Sequence, residues 1–216
     1  MGKSDQLLIN FYGQFIEKKH FKNVAFFGQS KENFISNLIH ADSKHYYDLS
    51  LGNWDINKFP YRINHDQKFD LIVCTRCAYF GKYPVKIINN FKKLLNNEGK
   101  ILIDWGLGDH WRFSKFKVGW VKDNEHEWAY NQDNHLWSAY LSKKMLNSEA
   151  FKQFAYYCRQ KNYIDVKNAI KEEVPVIIYE DDFPKQEIEI VKEKSIFLWP
   201  DSPQIYTCLL LSKKRR

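Results

Sequence analysis

A chain of 216 residues, 44% of them hydrophobic, is long enough for one domain with a sizeable core held without disulfides or metal. No run approaches the ~18 consecutive apolar residues of a membrane span, and Met1-Gly2-Lys3-Ser4-Asp5-Gln6 lacks the succession of charged, apolar and small residues that marks a signal peptide. Gln6 stands where a myristoylation signal on Gly2 would need Ser or Thr. The formal charge of +7 comes from 27 Lys and only 6 Arg, beside 17 Asn and 8 Ala, a bias that an AT-rich genome produces without selection for any partner. Arg is the side chain best suited to bidentate phosphate and base contacts. Its scarcity argues against the nucleic-acid binding that net charge alone would suggest. The final Lys213-Lys214-Arg215-Arg216 reads as a solvated tail, and Cys74, Cys77, Cys158 and Cys208 as reduced thiols of a cytoplasmic protein.

The first predicted element is a helix over residues 5–19, with Leu7, Leu8, Phe11, Phe15 and Ile16 near helical spacing and Ser4 as its N-cap. A strand–helix alternation follows. Asn23-Val24-Ala25-Phe26-Phe27 is a short apolar run ending at Gly28, the pattern of a strand buried on both faces. Residues 31–40 read as a helix with Phe34, Ile35 and Leu38 on one face and Ser30 as its cap. His45-Tyr46-Tyr47-Asp48-Leu49 is a second strand ending in an acid, Trp54-Asp55-Ile56 a short third and Phe69-Asp70-Leu71-Ile72-Val73-Cys74 a fourth. Residues 84–96 form an amphipathic helix with Pro84 in its first turn and Val85, Ile88, Phe91, Leu94 and Leu95 sharing a face. Asn97-Glu98-Gly99 closes it, and Lys100-Ile101-Leu102-Ile103-Asp104-Trp105 is a fifth strand. Strands and helices alternating at this spacing imply a parallel sheet.

Beyond Trp105 the texture changes. Residues 105–137 carry five of the seven Trp among many charges, and no clean period returns before a helix over 148–161 with Phe151, Phe154, Ala155 and Cys158 on one face. Val174-Pro175-Val176-Ile177-Ile178-Tyr179 and Ile205-Tyr206-Thr207-Cys208-Leu209-Leu210-Leu211 read as two successive strands joined by a charged connection. With no helix between them, one is expected to insert antiparallel at the sheet edge.

Several of these stretches resemble class I S-adenosylmethionine-dependent methyltransferases. Phe69-Asp70-Leu71-Ile72, the helix after it and Leu95-Asn96-Asn97-Glu98-Gly99-Lys100-Ile101-Leu102-Ile103 are similar to that family's "FDLI" strand, helix and "LLxPGGxLLI" turn, and Tyr47-Asp48-Leu49-Ser50 to its "xDLS". The resemblance covers roughly residues 21–105 and 174–212. It implies an α/β, Rossmann-like three-layer sandwich with a mostly parallel seven-stranded sheet and an antiparallel last strand. It implies one domain: a covering helix in 1–20, a cofactor-binding half in 21–105, an aromatic-rich insertion with a helix on the substrate side in 106–172, and C-terminal strands with a basic tail in 173–216. The chain departs from the family at the glycine-rich loop, acid-x-Gly-x-Gly-x-Gly. Aligned on Gly28, the acid is replaced by Phe26, the second glycine by Ser30 and the third by Glu32.

The implied cofactor is S-adenosyl-L-methionine, with Phe27, Gly28, Gln29 and Ser30 at the first turn, Asp48 and Leu49 after the second strand, Asp55 and Ile56 near the adenine, and Thr75 and Arg76 lining the pocket. Asp48 also stands about twenty residues beyond the glycine turn, the spacing at which an acid takes ribose hydroxyls in dinucleotide folds. A solvated strand-end carboxylate is the plainer reading. Methyl transfer to oxygen or nitrogen often needs a base, and His110 with Asp109, in the Gly106–Gly108 loop after the fifth strand, are the candidates; a turn cap is the alternative for His110. Cys74-Thr75-Arg76-Cys77 is a CxxC, but Cys158 and Cys208 do not supply a second pair, so it reads as core and pocket lining rather than a metal site. Glu125, His126, Glu127 and His135 read as surface residues. Trp120, Trp128, Tyr130, Trp137 and Tyr140 form an insertion core with one or two rings on a substrate cleft. The expected reaction is methyl transfer to an oxygen or nitrogen of a small-molecule acceptor. Open alternatives are an inactive fold kept as a binding or assembly module, and an RNA or DNA methyltransferase.

Overall fold

The computed structural model describes residues 3–16, 20–63, 67–108, 137–160, 166–198 and 204–214. Its main sheet is built from β1 (Phe21–Phe27), β2 (Ala41–Tyr47), β3 (Phe69–Cys74), β4 (Leu95–Gly108), β7 (Ile188–Leu198) and β8 (Gln204–Lys213), in the order β2-β1-β3-β4-β8-β7. The first four run parallel to one another, and β8 runs antiparallel to both β4 and β7. This is the expected Rossmann-like α/β sheet with six strands rather than seven. Two of the seven expected strands, Val174–Tyr179 and Trp54–Ile56, are absent from it, and Ile188–Leu198 joins it unexpectedly. Trp54–Ile56 is not a strand. There Asp55 Oδ1 accepts the Asn57 N–H at 2.9 Å and the Asp55 carbonyl accepts from Lys58, so side-chain capping draws the backbone into a turn.

Buried runs on consecutive residues show that both faces of the sheet are covered. Val24 to Phe27, Leu71 to Cys74 and Gln204 to Leu211 are buried throughout. The helices α1 (Lys3–Gly13), α3 (Pro84–Leu94) and α5 (Glu149–Gln160) supply much of the cover. On α3 the buried set is Pro84, Ile87, Ile88, Phe91 and Leu94, and Phe91 meets the Phe27 ring at 4.6 Å. On α5 it is Phe151, Phe154, Ala155 and Cys158, as the periodicity predicts. Asp70 sets the strand register: its Oδ2 accepts the backbone N–H groups of Lys22 at 2.7 Å and Asn23 at 3.0 Å.

Several elements differ from expectation. α1 begins by Lys3, so Ser4 lies inside it rather than capping it, and it ends at Gly13; Leu8, Phe11, Tyr12 and Phe15 are buried while Leu7 is exposed. The second helix, α2, spans only Phe34–Asn37. Asn33, not Ser30, caps it, accepting from Ile35 and Ser36 while Ser36 Oγ accepts the Asn33 N–H. The strand at Val176–Tyr179, β6, does not join the main sheet: it pairs in parallel with β5 (Ser138–Leu141) in a two-stranded sheet. The charged connection after it contains β7. That strand buries only Ile188, Glu193 and Leu198 and carries Glu189, Lys192 and Lys194, the charge that edge strands carry against unwanted pairing. β8 is therefore interior to the sheet and β7 is its edge. Two further helices lie outside the sequence expectation: α4 (Lys143–Leu146), a single turn, and α6 (Val166–Glu173), which buries Val166 and Ile170.

Candidate functional site

From β1 the chain moves outward to β2 on one side and then returns to β3 on the other. The strand order therefore reverses between β1 and β3, and a crevice opens at their carboxyl ends. In open α/β sheets this is where ligands bind. Gly28 and Gln29 leave β1 there, Thr75 and Arg76 leave β3, and Asp48 leaves β2. Phe27 and Tyr47 are register partners, which brings the Gly28 turn and Asp48 side by side.

Gly28 has φ +76° and its N–H donates to the Tyr47 carbonyl at 2.8 Å. A Cβ at this position would fall 2.5 Å from Cys77 Sγ and 2.7 Å from Cys77 Cβ. Both the left-handed backbone and the packing of Cys77 thus require glycine. The two positions where the family loop has further glycines, Ser30 and Glu32, are exposed on the surface. Phe26, in place of the family's acid, is wholly buried and stacks on Tyr46 at 5.2 Å. Phe27 is also a core residue, packed against Tyr47, Trp54 and Phe91, so only its backbone borders the crevice.

The polar groups around the crevice are not all satisfied. Gln29 is 6% exposed and neither Nε2 nor Oε1 has a hydrogen-bond partner among the described residues. Thr75 is 3% exposed, and its Oγ1 is in the same state. So is Nε of Arg76. An unpaired buried donor or acceptor costs about 1–3 kcal/mol, so such groups are normally matched by water or by a ligand.

Asp48 caps a short turn, its Oδ1 accepting the Ser50 N–H at 2.9 Å and the Ser50 hydroxyl at 2.6 Å. Both bonds fall on one oxygen, which leaves Oδ2 for another donor. Leu49, next to it, is 67% exposed. Asp55 takes part in its own turn and lies 3.6 Å from Lys58 Nζ, while Ile56 is buried and its carbonyl accepts the Tyr61 hydroxyl at 3.1 Å. That segment is tied to the region after β3 through Asn57, which donates to the Phe80 carbonyl and accepts from Lys82.

Sequence reasoning missed Asp104. It sits in β4 with no exposure, its Oδ1 accepting the Arg76 N–H at 2.7 Å and its Oδ2 accepting the Tyr12 hydroxyl from α1. Burial pushes its carboxyl up from 3.8 to about 6, against the lowering effect of Tyr12 and Arg76. The signal was present: an acid inside an apolar strand is rarely buried without partners. Cys74 is buried too, and a hydrogen bond to Cys77 together with burial holds its thiol well above the usual range, which disfavours a reactive thiolate. Tyr140 is core, donating to the buried Glu193 at 3.0 Å. Trp137 bridges the segment after β3 to β6, donating to the Tyr79 carbonyl and accepting from Val176. Asp109, His110, Trp120, Glu125, His126, Glu127, Trp128, Tyr130 and His135 lie outside the described residues.

A cavity of about 570 Å³ opens at the opposite end of the sheet, against Phe15, Phe21, Asp70, Asn96 and Lys100. Its carboxylate is already engaged by the backbone of β1 and by Asn96. The buried atoms of Gln29, Thr75 and Arg76 that lack a partner among the described residues are at the Gly28 end. No helix of the described residues is long and apolar enough to cross a membrane.

Searched by sequence, the chain matches no protein-family model and no curated protein. By structure it is similar to the ribosomal protein L11 methylase of Lactobacillus delbrueckii subsp. bulgaricus, at 14% identity over 99% of this chain and 81% of that one, with a TM-score of 0.42. It is similar to the plantazolicin methyltransferase BpumL, solved with a triazolic desmethylPZN analog and SAH, at 13% identity over 98% and 84% of the two chains and a TM-score of 0.39. The N-terminal domain of EvdMO1, solved with SAH, gives 8% identity over 100% and 83% and a TM-score of 0.39. At this level of superposition the likeness assigns no activity, cofactor or residue role to this chain.

Proposed function

We propose that this protein is an S-adenosylmethionine-dependent methyltransferase acting on an oxygen or nitrogen atom of a small-molecule acceptor. The observation that carries the reading is the set of unpaired buried polar atoms on Gln29 and Thr75 at the β1/β3 switch point, beside the Gly28 turn and Asp48.

The donor set fits this cofactor. Asp48 keeps Oδ2 for a ribose hydroxyl, and exposed Leu49 offers apolar surface to a base beside it. The Gln29 amide has a donor and an acceptor for the charged ends of an amino acid, in place of the acid that Phe26 displaces. A loop with one glycine and Ser30 in place of the second suits a ligand whose amino-acid end carries no phosphate. When bound, the cofactor supplies an electrophilic methyl on a sulfonium. The chain's part is to align the acceptor atom in line with that bond and to exclude competing water. His110, with Asp109, is proposed on sequence grounds as the base that takes the acceptor's proton.

Calorimetric titration with S-adenosylhomocysteine tests the reading. Saturable one-site binding, weakened in Gln29→Ala, is the expected result; absence of heat at millimolar ligand with folded protein removes it.

A further inference from the structure

We infer that the methyl acceptor carries a carboxylate and that Arg76 recognises it; this rests on the reading of the β1/β3 crevice as a methyl-transfer site. Arg76 is the non-glycine residue with positive φ among the described residues, at 57°. That conformation costs an L-residue on the order of 1 kcal/mol and persists where surrounding contacts impose it, often at functional sites. Here the imposing contact is the buried carboxylate of Asp104, which accepts the Arg76 N–H.

The side chain shows what the imposed backbone is for. Among the described residues, Nε is buried without a partner and Arg76 makes no ion pair. Asp104 does not serve as the counter-charge in a fork, because one of its oxygens is on the Arg76 backbone and the other on Tyr12. Arg76 leaves β3 and is anchored by its N–H to Asp104 on β4, which pairs with β8. This is the side of β3 away from β1 and β2, which carry Gln29 and Asp48. There Gly106 admits the Tyr206 ring, which a Cβ would meet at 2.5 Å. A guanidinium edge with a free Nε is the shape that takes a carboxylate side-on through two parallel hydrogen bonds. Arg76, expected from the resemblance among the cofactor residues, is thereby assigned to the acceptor.

The test uses benzoate and benzamide, its uncharged analogue, titrated into the full chain with and without saturating S-adenosylhomocysteine. Wild type is expected to prefer benzoate by roughly tenfold or more, the scale of a charged hydrogen-bonded contact. Arg76→Met should abolish the preference, and Arg76→Lys should retain part of it. Equal binding of the two probes by wild type, or a preference that survives in Arg76→Met, overturns the inference. S-adenosylhomocysteine and methylthioadenosine, which lacks the amino-acid end, give the remaining arm. Should Arg76→Met weaken only the former, Arg76 serves the cofactor's own carboxylate and the inference fails. Wild type that binds no S-adenosylhomocysteine removes the methyl-transfer reading, while the benzoate preference, measured without it, still decides whether Arg76 is a carboxylate site.

Discussion

Asp104, wholly buried in β4, fixes the backbone of Arg76, 28 residues earlier, by accepting its N–H at 2.7 Å. The same carboxylate holds the Tyr12 hydroxyl, so one acid ties the covering helix, the loop after β3 and the middle of the sheet together. Cys74 and Cys208 are its other titratable neighbours.

The first prediction concerns pH. With its carboxyl raised from 3.8 to about 6, the folded chain holds a proton that the unfolded chain has lost across that interval. The contribution of Asp104 to stability therefore falls as pH rises through the interval and is constant above it. The full change is on the order of 3 kcal/mol. Asp104→Asn cannot titrate there and its amide can still accept the Arg76 N–H. Urea unfolding of both proteins from about pH 4 to pH 7 should show the difference shifting in favour of the variant by that amount; parallel profiles would show that Asp104 does not titrate in this range.

Removing an unpaired buried group should stabilise the free protein and weaken the complex. Thr75→Val keeps shape and deletes the unpartnered Oγ1. We expect a gain of about 1 kcal/mol in urea unfolding without ligand, and several-fold weaker binding of S-adenosylhomocysteine. A structural hydroxyl would behave in the opposite way, with stability lost and affinity unchanged.

Gly28 combines two constraints that can be separated. Gly28→Ala places a Cβ in the left-handed region, costing about 1–2 kcal/mol, and against Cys77, adding about 1–3 kcal/mol. In the Gly28→Ala/Cys77→Gly double variant only the first part should remain relative to Cys77→Gly alone. Unfolding midpoints that show no coupling between the two positions would contradict the packing.

Glu193 joins the two-stranded sheet to the edge of the main one. It is 4% exposed and accepts from Tyr140 and Ser142. Glu193→Ala strands both hydroxyls and should cost about 2–4 kcal/mol, and Tyr140→Phe about 1 kcal/mol. A negligible effect of both on thermal unfolding would remove this tie from the account.

The parts of the fold that could be read in advance were those where local pattern and burial agree. The strand Phe69–Cys74 follows from its apolar run and the face of α5 from periodicity, while on α3 the buried face takes in Ile87 and leaves Val85 at its margin, with Leu95 already in β4. β7 was hidden because an edge strand carries the charges of a loop, and β5, at four residues, is too short to display a period. Trp54–Ile56 was misread because its apolar residues outweighed the capping by Asp55. At the crevice, the side-by-side placement of Gly28 and Asp48 follows from the spacing of the first two strands. Asp104 was passed over in favour of the loop that follows because its partners, Tyr12 and Arg76, are distant in sequence, and the unpaired state of Gln29 and Thr75 exists only once the strands are assembled.

We propose that the crevice at Gln29, Asp48 and Thr75 holds S-adenosylmethionine. Calorimetric titration of wild type, Gln29→Ala and Asp48→Asn with S-adenosylhomocysteine tests it most directly. One saturable site is expected in wild type and binding weaker by roughly tenfold or more in each variant, with unfolding curves showing that all three are folded. No binding by folded wild type, or equal binding by all three, would contradict it.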